Sequence, residues 1–91
     1  MSIVVRFHPA NLTAERYDES HPKLEEAGFP PEGLDYHVCF GSPDNLRVSE
    51  IWDSREQLEA WGEKLMPILT DFGIEFSGEP EIFEVHNIVK R

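Results

Sequence analysis

The chain has 91 residues, which is enough for one compact domain and too few for two. Its composition, 40% hydrophobic and 29% charged, is typical of a globular protein rather than a disordered one. Eighteen acidic residues against eight basic ones give a net charge of −10, which disfavours binding to nucleic acid or anionic lipid. We find no apolar run long enough to span a membrane and no signal-peptide pattern, so we expect a cytoplasmic protein.

The cysteine content excludes two common ways of stabilising a small domain. Cys39 is the only cysteine, so the chain cannot close an internal disulfide, and it has no paired Cys or His spacing that predicts a zinc site. A single hydrophobic core is marginally stable at this length. We therefore expect one domain over residues 1–91, stabilised by association into a homodimer.

The first third of the chain predicts a strand followed by a helix. Residues 2–8 are rich in β-branched and aromatic side chains, and Pro9 then ends the strand. Thr13 is a suitable N-cap for a helix that ends at Gly28. Because proline lacks an N–H group and disfavours helical geometry in the preceding residue, Pro22 predicts a kink or a break in this helix.

The middle of the chain predicts a β-hairpin. Residues 34–41 alternate between apolar and polar side chains, as a half-buried strand does. Turn-forming residues occupy 41–45, and a second strand is predicted over residues 46–53. Ser54 and Gln57 then form a capping-box pattern, which marks the start of another helix.

The last third predicts a helix and a final strand. Apolar residues recur at helical spacing from residue 58 to residue 72, and Gly73 ends the pattern. Pro67 predicts a bend within this helix. A polar loop leads to a last strand predicted over residues 81–89.

The order strand–helix–strand–strand–helix–strand predicts a ferredoxin-like βαββαβ fold of the α+β class, with two helices on one face of a four-stranded antiparallel sheet. The opposite face of the sheet then lacks a cover. In the first strand Val4 and Arg6 alternate with Ile3 and Val5, and neither set is polar throughout, as a face in water would be. We expect a second sheet to pack there in a homodimer. The alternative is a monomer with some exposed apolar residues.

Three segments resemble a known group of proteins. The sequence VSEIWDS at residues 48–54, LEAW at 58–61 and VHNIV at 85–89 are similar to segments of the dimeric α/β-barrel superfamily, in particular its small antibiotic-biosynthesis-monooxygenase-like members. The resemblance covers almost the whole chain. It implies a ferredoxin-like protomer, two sheets facing each other in a homodimer, and a small-molecule pocket between sheet and helices.

The resemblance also implies a range of activities. The superfamily includes cofactor-free quinol and anthrone oxygenases, haem-degrading enzymes, muconolactone isomerases and polyketide cyclases. Haem-degrading members use an asparagine on the first strand and a histidine soon after a helix tryptophan. Here the first strand has no asparagine, and the only histidine after Trp61 is His86. Metal-binding histidine spacings are also absent, so no cofactor is predicted.

Three ionisable residues are candidates for proton transfer. His37 and His86 fall within predicted strands, where either could be a general base or a hydrogen-bond donor to a ligand. The alternative is a structural histidine bonded to the backbone or to a carboxylate. Glu50 shares a strand face with Trp52, and partial desolvation beside the indole would suit it for proton transfer. The alternative is that Glu50 pairs with Arg6 or Arg47 or reaches solvent.

The remaining candidates are aromatic or weakly reactive. Four aromatic residues, Tyr17, Trp52, Trp61 and Phe72, could line a pocket for a flat apolar or phenolic molecule, or they could simply form the core. The other two histidines, His8 and His21, are expected in solvent. Cys39 would become a nucleophile only if a histidine activated it, and we expect an inert thiol.

Two functions follow from these observations. The first is a cofactor-independent monooxygenase, isomerase or cyclase that acts on a small aromatic or polyketide-like molecule, with His37, His86 or Glu50 as the proton-transferring group. The second is a non-catalytic dimeric module that binds a small ligand or another protein. A cavity holding two or more ionisable groups would favour the enzyme.

Overall fold

A computed structural model describes residues 2–91 of the chain. Its elements are β1 (Ile3–Phe7), α1 (Ala14–Glu26), β2 (Leu34–Ser42), β3 (Asn45–Trp52), α2 (Arg55–Asp71) and β4 (Glu81–Glu84). The strands form one antiparallel sheet in the order β2-β3-β1-β4. The predicted ferredoxin-like fold is thereby confirmed. Neither helix in this part of the chain is long and apolar enough to cross a membrane.

Both helices begin and end where the sequence predicts. The hydroxyl groups of Thr13 and Ser54 accept hydrogen bonds from backbone N–H groups three residues later, at 3.2 Å in each case. Gly28 and Gly73 follow the last turns with φ angles of 105° and 70°, which L-residues with a side chain rarely adopt. These glycines allow the chain to leave each helix sharply.

The break expected at Pro22 does not occur. Helix α1 continues through Pro22, and α2 continues through Pro67. Both prolines are exposed. Because each lies on the solvent side of its helix, water can satisfy the carbonyl group that loses its partner, and packing of the opposite side maintains the helix.

Strand β4 is shorter than predicted, because its only neighbour is short. It pairs with β1 from Glu81↔Arg6 to Glu84↔Ile3, and one further hydrogen bond joins Val85 N–H to the Ser2 carbonyl at 3.0 Å. The predicted extension to residue 89 is therefore wrong. Within the described part of the chain, the pairing of this segment with β1 and Ser2 ends at Val85.

The cross-strand register decides which side chains face the helices. Val5 pairs with Glu50 of β3, which in turn pairs with His37 of β2, so these three side chains share the helix-covered face. Val5 is 0% exposed and Glu50 is 4% exposed. The buried apolar core that surrounds them consists of Ile3, Val5, Leu24, Trp52, Leu58 and Trp61.

A bulge in β2 changes the predicted faces of that strand. Leu34 pairs with Trp52 whereas Tyr36 pairs with Ile51, so Asp35 is an extra residue in β2. Leu34 consequently joins the core, while the other apolar residues of its alternating set lie on the opposite face. The helices cover the polar set that contains His37.

The face of the sheet opposite the helices carries several large apolar groups. Tyr36, Phe40 and Phe83 are 54%, 39% and 52% exposed, respectively. We call this surface the open face. By alternation and register, it consists of Val4, Arg6, Tyr36, Val38, Phe40, Arg47, Ser49, Ile51, Glu81 and Phe83.

Candidate functional site

A cavity of about 70 Å³ lies between the helix-covered face of the sheet and the two helices. Its walls are almost entirely apolar, with four polar exceptions. The apolar lining comes mainly from Phe7, Leu12, Leu24, Phe29, Val48, Trp61, Leu65, Leu69, Ile74 and Phe76. The polar side chains are Tyr17, Ser20, His37 and Glu50.

Two pieces of regular structure bring the polar side chains together. Tyr17 and Ser20 are three residues apart in α1, so they project from the same side of the helix. His37 and Glu50 are direct cross-strand partners in the β2–β3 hairpin. The sheet and α1 therefore contribute polar groups to one cavity.

Three of these side chains and the indole of Trp52 form a continuous series of hydrogen bonds, whereas the Ser20 hydroxyl donates to the Tyr17 carbonyl group. Tyr17 Oη lies 2.8 Å from His37 Nε2, and His37 Nδ1 lies 2.6 Å from Glu50 Oε2. On its other oxygen, Oε1, Glu50 accepts a hydrogen bond from the indole Nε1–H of Trp52 at 3.0 Å. Each carboxylate oxygen of this buried residue thus has a partner, as a buried charged group requires.

The partners of His37 determine which atom donates in each of these hydrogen bonds. Because a carboxylate only accepts hydrogen bonds, Nδ1 of His37 is the donor to Glu50. In a neutral imidazole Nε2 then carries no proton, and it accepts the hydrogen bond of the Tyr17 hydroxyl. The only unprotonated nitrogen of His37 is therefore at its cavity end.

The surroundings of Tyr17 keep its hydroxyl group protonated. Burial raises the pKa of Tyr17 from 10.0 to about 12, with smaller contributions from the negative charges of Cys39, Glu50 and Asp18. At neutral pH Tyr17 is a phenol. It can donate a hydrogen bond to His37 or to an oxygen atom of a ligand.

The thiol of Cys39 is not activated in this environment. Burial, followed by the negative charge of Asp18, raises the pKa of Cys39 above its ordinary value. A raised pKa leaves less of the nucleophilic thiolate at neutral pH. This agrees with the expectation of an inert thiol.

Aromatic contacts restrict the orientation of the His37 ring. The Phe29 ring stands edge-on to His37 with centroids 5.2 Å apart and also packs against Trp61 at 5.9 Å. The Tyr17 ring is nearly parallel to the His37 ring, with an interplanar angle of 20° and centroids 6.1 Å apart. Sequence patterns did not indicate Phe29, because it lies in a Pro-rich loop that has no periodicity.

The predicted site residues divide into two groups. His37, Glu50, Tyr17 and Trp61 line the cavity. The other three do not. Trp52 is 0% exposed and packs in the core behind Glu50, Phe72 lies at the C-terminal end of α2, and His86 is exposed beyond the end of β4. The expected position of His86 within a strand is therefore wrong.

The remaining histidines lie outside the cavity. His8 is partly exposed and pairs with Glu81, with Nε2 and Oε1 2.7 Å apart. The expectation that His21 lies in solvent is wrong, because its Nε2 atom is buried and has no hydrogen-bond partner among residues 2–91. Its ring packs edge-on against Tyr17 with centroids 4.6 Å apart.

The described residues offer no evident site for a metal ion or haem. No three His, Cys, Asp or Glu side chains converge as metal ligands within residues 2–91. His37, the histidine in the cavity, uses both ring nitrogens for Tyr17 and Glu50. A cavity of about 70 Å³ is also much smaller than a porphyrin.

The structure resembles several solved structures over nearly its full length, at low sequence identity. The protein YJCS superposes with a TM-score of 0.69 at 13% identity, covering 94% of this chain and all of the other. A candidate antibiotic biosynthesis monooxygenase from Chloroflexus aurantiacus J-10-fl gives 0.61 at 17% identity, covering 98% and 95% of the two chains. SnoaB from Streptomyces nogalater, a cofactor-independent oxygenase, gives 0.59 at 14% identity, covering 99% and 96%.

The chain shares their fold. The resemblance seen in the sequence is thus confirmed at the level of architecture. No protein-family profile matches the chain, and no curated protein sequence matches it. At identities of 13–17%, similarity of structure establishes the fold alone. The function must therefore be argued from the cavity itself.

Proposed function

We propose that this protein is a cofactor-independent enzyme that removes a proton from a small phenolic or enolisable molecule. The observation that carries the proposal is the geometry of His37, whose Nδ1 meets the Glu50 carboxylate while its Nε2 lies at an apolar cavity. A histidine held in one tautomer by a buried carboxylate is a common general base in enzymes. The description of SnoaB as a cofactor-independent oxygenase supports the same class of chemistry.

In the proposed reaction each polar residue has a separate task. His37 Nε2 accepts the proton of a substrate C–H or O–H group, and the ring becomes an imidazolium ion. The carboxylate of Glu50 stabilises that positive charge through its contact of 2.6 Å with Nδ1. Tyr17 releases His37 and donates its hydroxyl hydrogen bond to the oxygen anion that forms on the substrate.

The anion can then follow three courses. It can react with O₂ as the co-reactant, so that an activated CH₂ group becomes C=O and one water molecule is released. It can take the proton back at another carbon, which is an isomerisation, or it can attack a carbonyl group of the same molecule, which is a cyclisation. All three courses share the proton removal by His37.

Size and charge define the substrate further. The cavity of about 70 Å³ is smaller than an apolar cavity of roughly 150 Å³ that binds benzene, so side chains at its edge must move to admit an aromatic ring. Glu50 lies in the wall, and the net charge of the protein is −10. We therefore expect neutral molecules to bind better than carboxylates or phosphates.

Deuterium exchange tests the proton-removal step directly. We would measure exchange of the acidic C–H groups of 2-tetralone and anthrone in D₂O, and O₂ uptake with anthrone. His37→Ala should lower the catalysed exchange about 100- to 10,000-fold, the range typical of a general base. His8→Ala, which removes a histidine outside the cavity, is the matched control and should leave the rate unchanged.

Two results would contradict the proposal. One is a rate of exchange with the wild-type protein that equals the buffer rate for both probes. The other is an equal rate for His37→Ala and the wild type. If the protein binds 1-naphthol or 2-tetralone in the cavity and still fails to catalyse exchange, it is the non-catalytic binding module instead.

We also propose that a second copy of the chain covers the open face. The supporting observation is the exposure of Tyr36 and Phe83, each more than half accessible on a sheet that has helices on its other side only. Tyr36→Asp and Phe83→Asp should each shift the sedimentation coefficient to that of a monomer. Met66→Asp is the control, because Met66 is 49% exposed on α2, away from the open face. A wild-type protein that sediments as a monomer at micromolar concentration would refute the dimer.

A further inference from the structure

The indole of Trp52 is the group that fixes the carboxylate of Glu50. The two residues are two positions apart in β3, so both side chains lie on the helix-covered face. Trp52 is 0% exposed and Glu50 is 4% exposed. The indole Nε1–H donates to Glu50 Oε1 at 3.0 Å, and this hydrogen bond lies entirely within the core.

The two hydrogen bonds to Glu50 divide its oxygens between two partners. Oε1 accepts from Trp52 and Oε2 accepts from His37 Nδ1. The structure gives neither oxygen another hydrogen-bond partner within residues 2–91. Because both oxygens are held, the carboxylate cannot rotate without breaking a buried hydrogen bond. The indole thus determines which oxygen is presented to His37.

We propose that Trp52 is a positioning residue that acts through Glu50 to hold His37 in the tautomer with its unprotonated nitrogen at the cavity. The role of Trp52 in catalysis rests on the function proposed above, in which His37 is the base. The tautomer itself can be observed without any substrate. The sequence left Trp52 as a residue of either a pocket wall or the core, and in the structure its indole N–H donates to Glu50.

The physical argument concerns what happens to Oε1 when its donor is lost. A buried carboxylate oxygen without a partner is costly, so the group would take up a proton or turn toward another donor. Either change weakens Oε2 as the acceptor for His37 Nδ1. The other ionisable groups near this cluster are Tyr17, Asp18 and His21 on α1 and Cys39 on β2, and none of them donates to Glu50.

Without a firm acceptor at Nδ1, the two neutral tautomers of His37 become closer in free energy. The proton can then reside on Nε2, which donates a hydrogen bond to the Tyr17 oxygen. In that tautomer Nε2 no longer has a lone pair available as an acceptor. A histidine in this second tautomer cannot accept a proton from a substrate in the cavity. Loss of a single N–H group in the core would therefore weaken the proposed base.

The most direct test replaces only that N–H group. Substitution of Trp52 by 3-benzothienylalanine exchanges the indole N–H for sulfur and leaves the ring shape nearly unchanged. Cys39 allows the full chain to be assembled by ligating a recombinant ¹⁵N-labelled segment 1–38 to a synthetic segment 39–91. The labelled segment contains His37, and the synthetic one contains Trp52.

The ring ¹⁵N chemical shifts of His37 report its tautomer at a pH above the titration range of ordinary imidazoles. We expect the ligated wild-type chain to have the proton on Nδ1, and the Trp52 analogue to show a mixture or the Nε2–H form. The same replacement at Trp61 is the control. Trp61 is also buried, at 4% exposure, but makes no hydrogen bond to Glu50, so its analogue should retain the Nδ1–H form.

Two further variants test the same effect on the His37 tautomer. Glu50→Gln presents an N–H group to Nδ1 and should reverse the tautomer, and Trp52→Phe made in the ordinary way should resemble the analogue. An unchanged tautomer in the Trp52 analogue would overturn the inference, as would an equal change in the Trp61 analogue. Failure of the proposed enzyme activity would be recognised separately, because the exchange assay with His37→Ala does not depend on the tautomer measurement.

Discussion

Deprotonation of Tyr17 is predicted to destabilise the protein at alkaline pH. Burial is the main reason that the pKa of Tyr17 rises from 10.0 to about 12. The folded protein therefore holds the phenol proton more tightly than the unfolded chain does. The resulting contribution to stability is complete below pH 10 and is lost as the pH rises through about 12.

The magnitude follows from the two pKa values. The difference between 10.0 and about 12 corresponds to an upper limit of roughly 2.7 kcal/mol in the free energy of unfolding. Because Tyr17 is only partly buried, solvent screens part of this effect, and we expect about 1 kcal/mol. Ionisation also removes the hydrogen bond that the Tyr17 hydroxyl donates to His37 Nε2.

Urea denaturation as a function of pH measures this contribution. The chain has two tyrosines, so Tyr36→Phe leaves Tyr17 as the only phenol, and its ionisation can be followed by ultraviolet absorbance. The difference in unfolding free energy between Tyr36→Phe and the double variant Tyr17→Phe/Tyr36→Phe should fall by about 1 kcal/mol over the alkaline range. A difference that stays constant, or ionisation of Tyr17 at the pH of a free phenol, would refute the reasoning.

Three further predictions concern stability, and urea denaturation at neutral pH measures each of them. Val5→Ala should cost about 2 kcal/mol, because the side chain is 0% exposed in the core; a loss below about 0.5 kcal/mol would show that the core relaxes around the gap. Ser54→Ala should cost about 1 kcal/mol through loss of the α2 N-cap, and an unchanged midpoint would mean that water caps the helix equally well. Gly33→Ala should cost about 1 kcal/mol or more, since its φ is +93° and a Cβ would lie 2.5 Å from the Gln57 side chain; full stability would contradict this backbone conformation.

The sequence predicted those parts of the fold that depend on neighbouring residues. Thr13 and Ser54 cap helices through atoms three residues away, so their effect can be seen in a short segment. The length of β4 depends on β1, which is distant in sequence and begins only at Ile3. The bulge at Asp35 likewise depends on how β2 pairs with β3, so simple alternation placed Leu34 on the same face as Tyr36 and Phe40, which lie on the opposite face of the sheet.

The candidate site could have been located more fully from one local signal. Residues 43–44 form the two-residue turn of the hairpin, between Ser42 at the end of β2 and Asn45 at the start of β3. The residue five positions before Ser42 is His37, and the residue five positions after Asn45 is Glu50. That count predicts the pair directly. The hydrogen bond from Tyr17 depends on the packing of α1 against the sheet, which no local pattern specifies.

A crystal structure of the protein with 1-naphthol would show whether a phenolic molecule meets the proposed base. We expect the naphthol ring to lie between the sheet and the helices, with its hydroxyl oxygen within hydrogen-bonding distance of His37 Nε2 and with Tyr17 displaced from that nitrogen. Naphthol bound elsewhere, beside an intact Tyr17–His37 hydrogen bond, would contradict the assignment of His37 as the base.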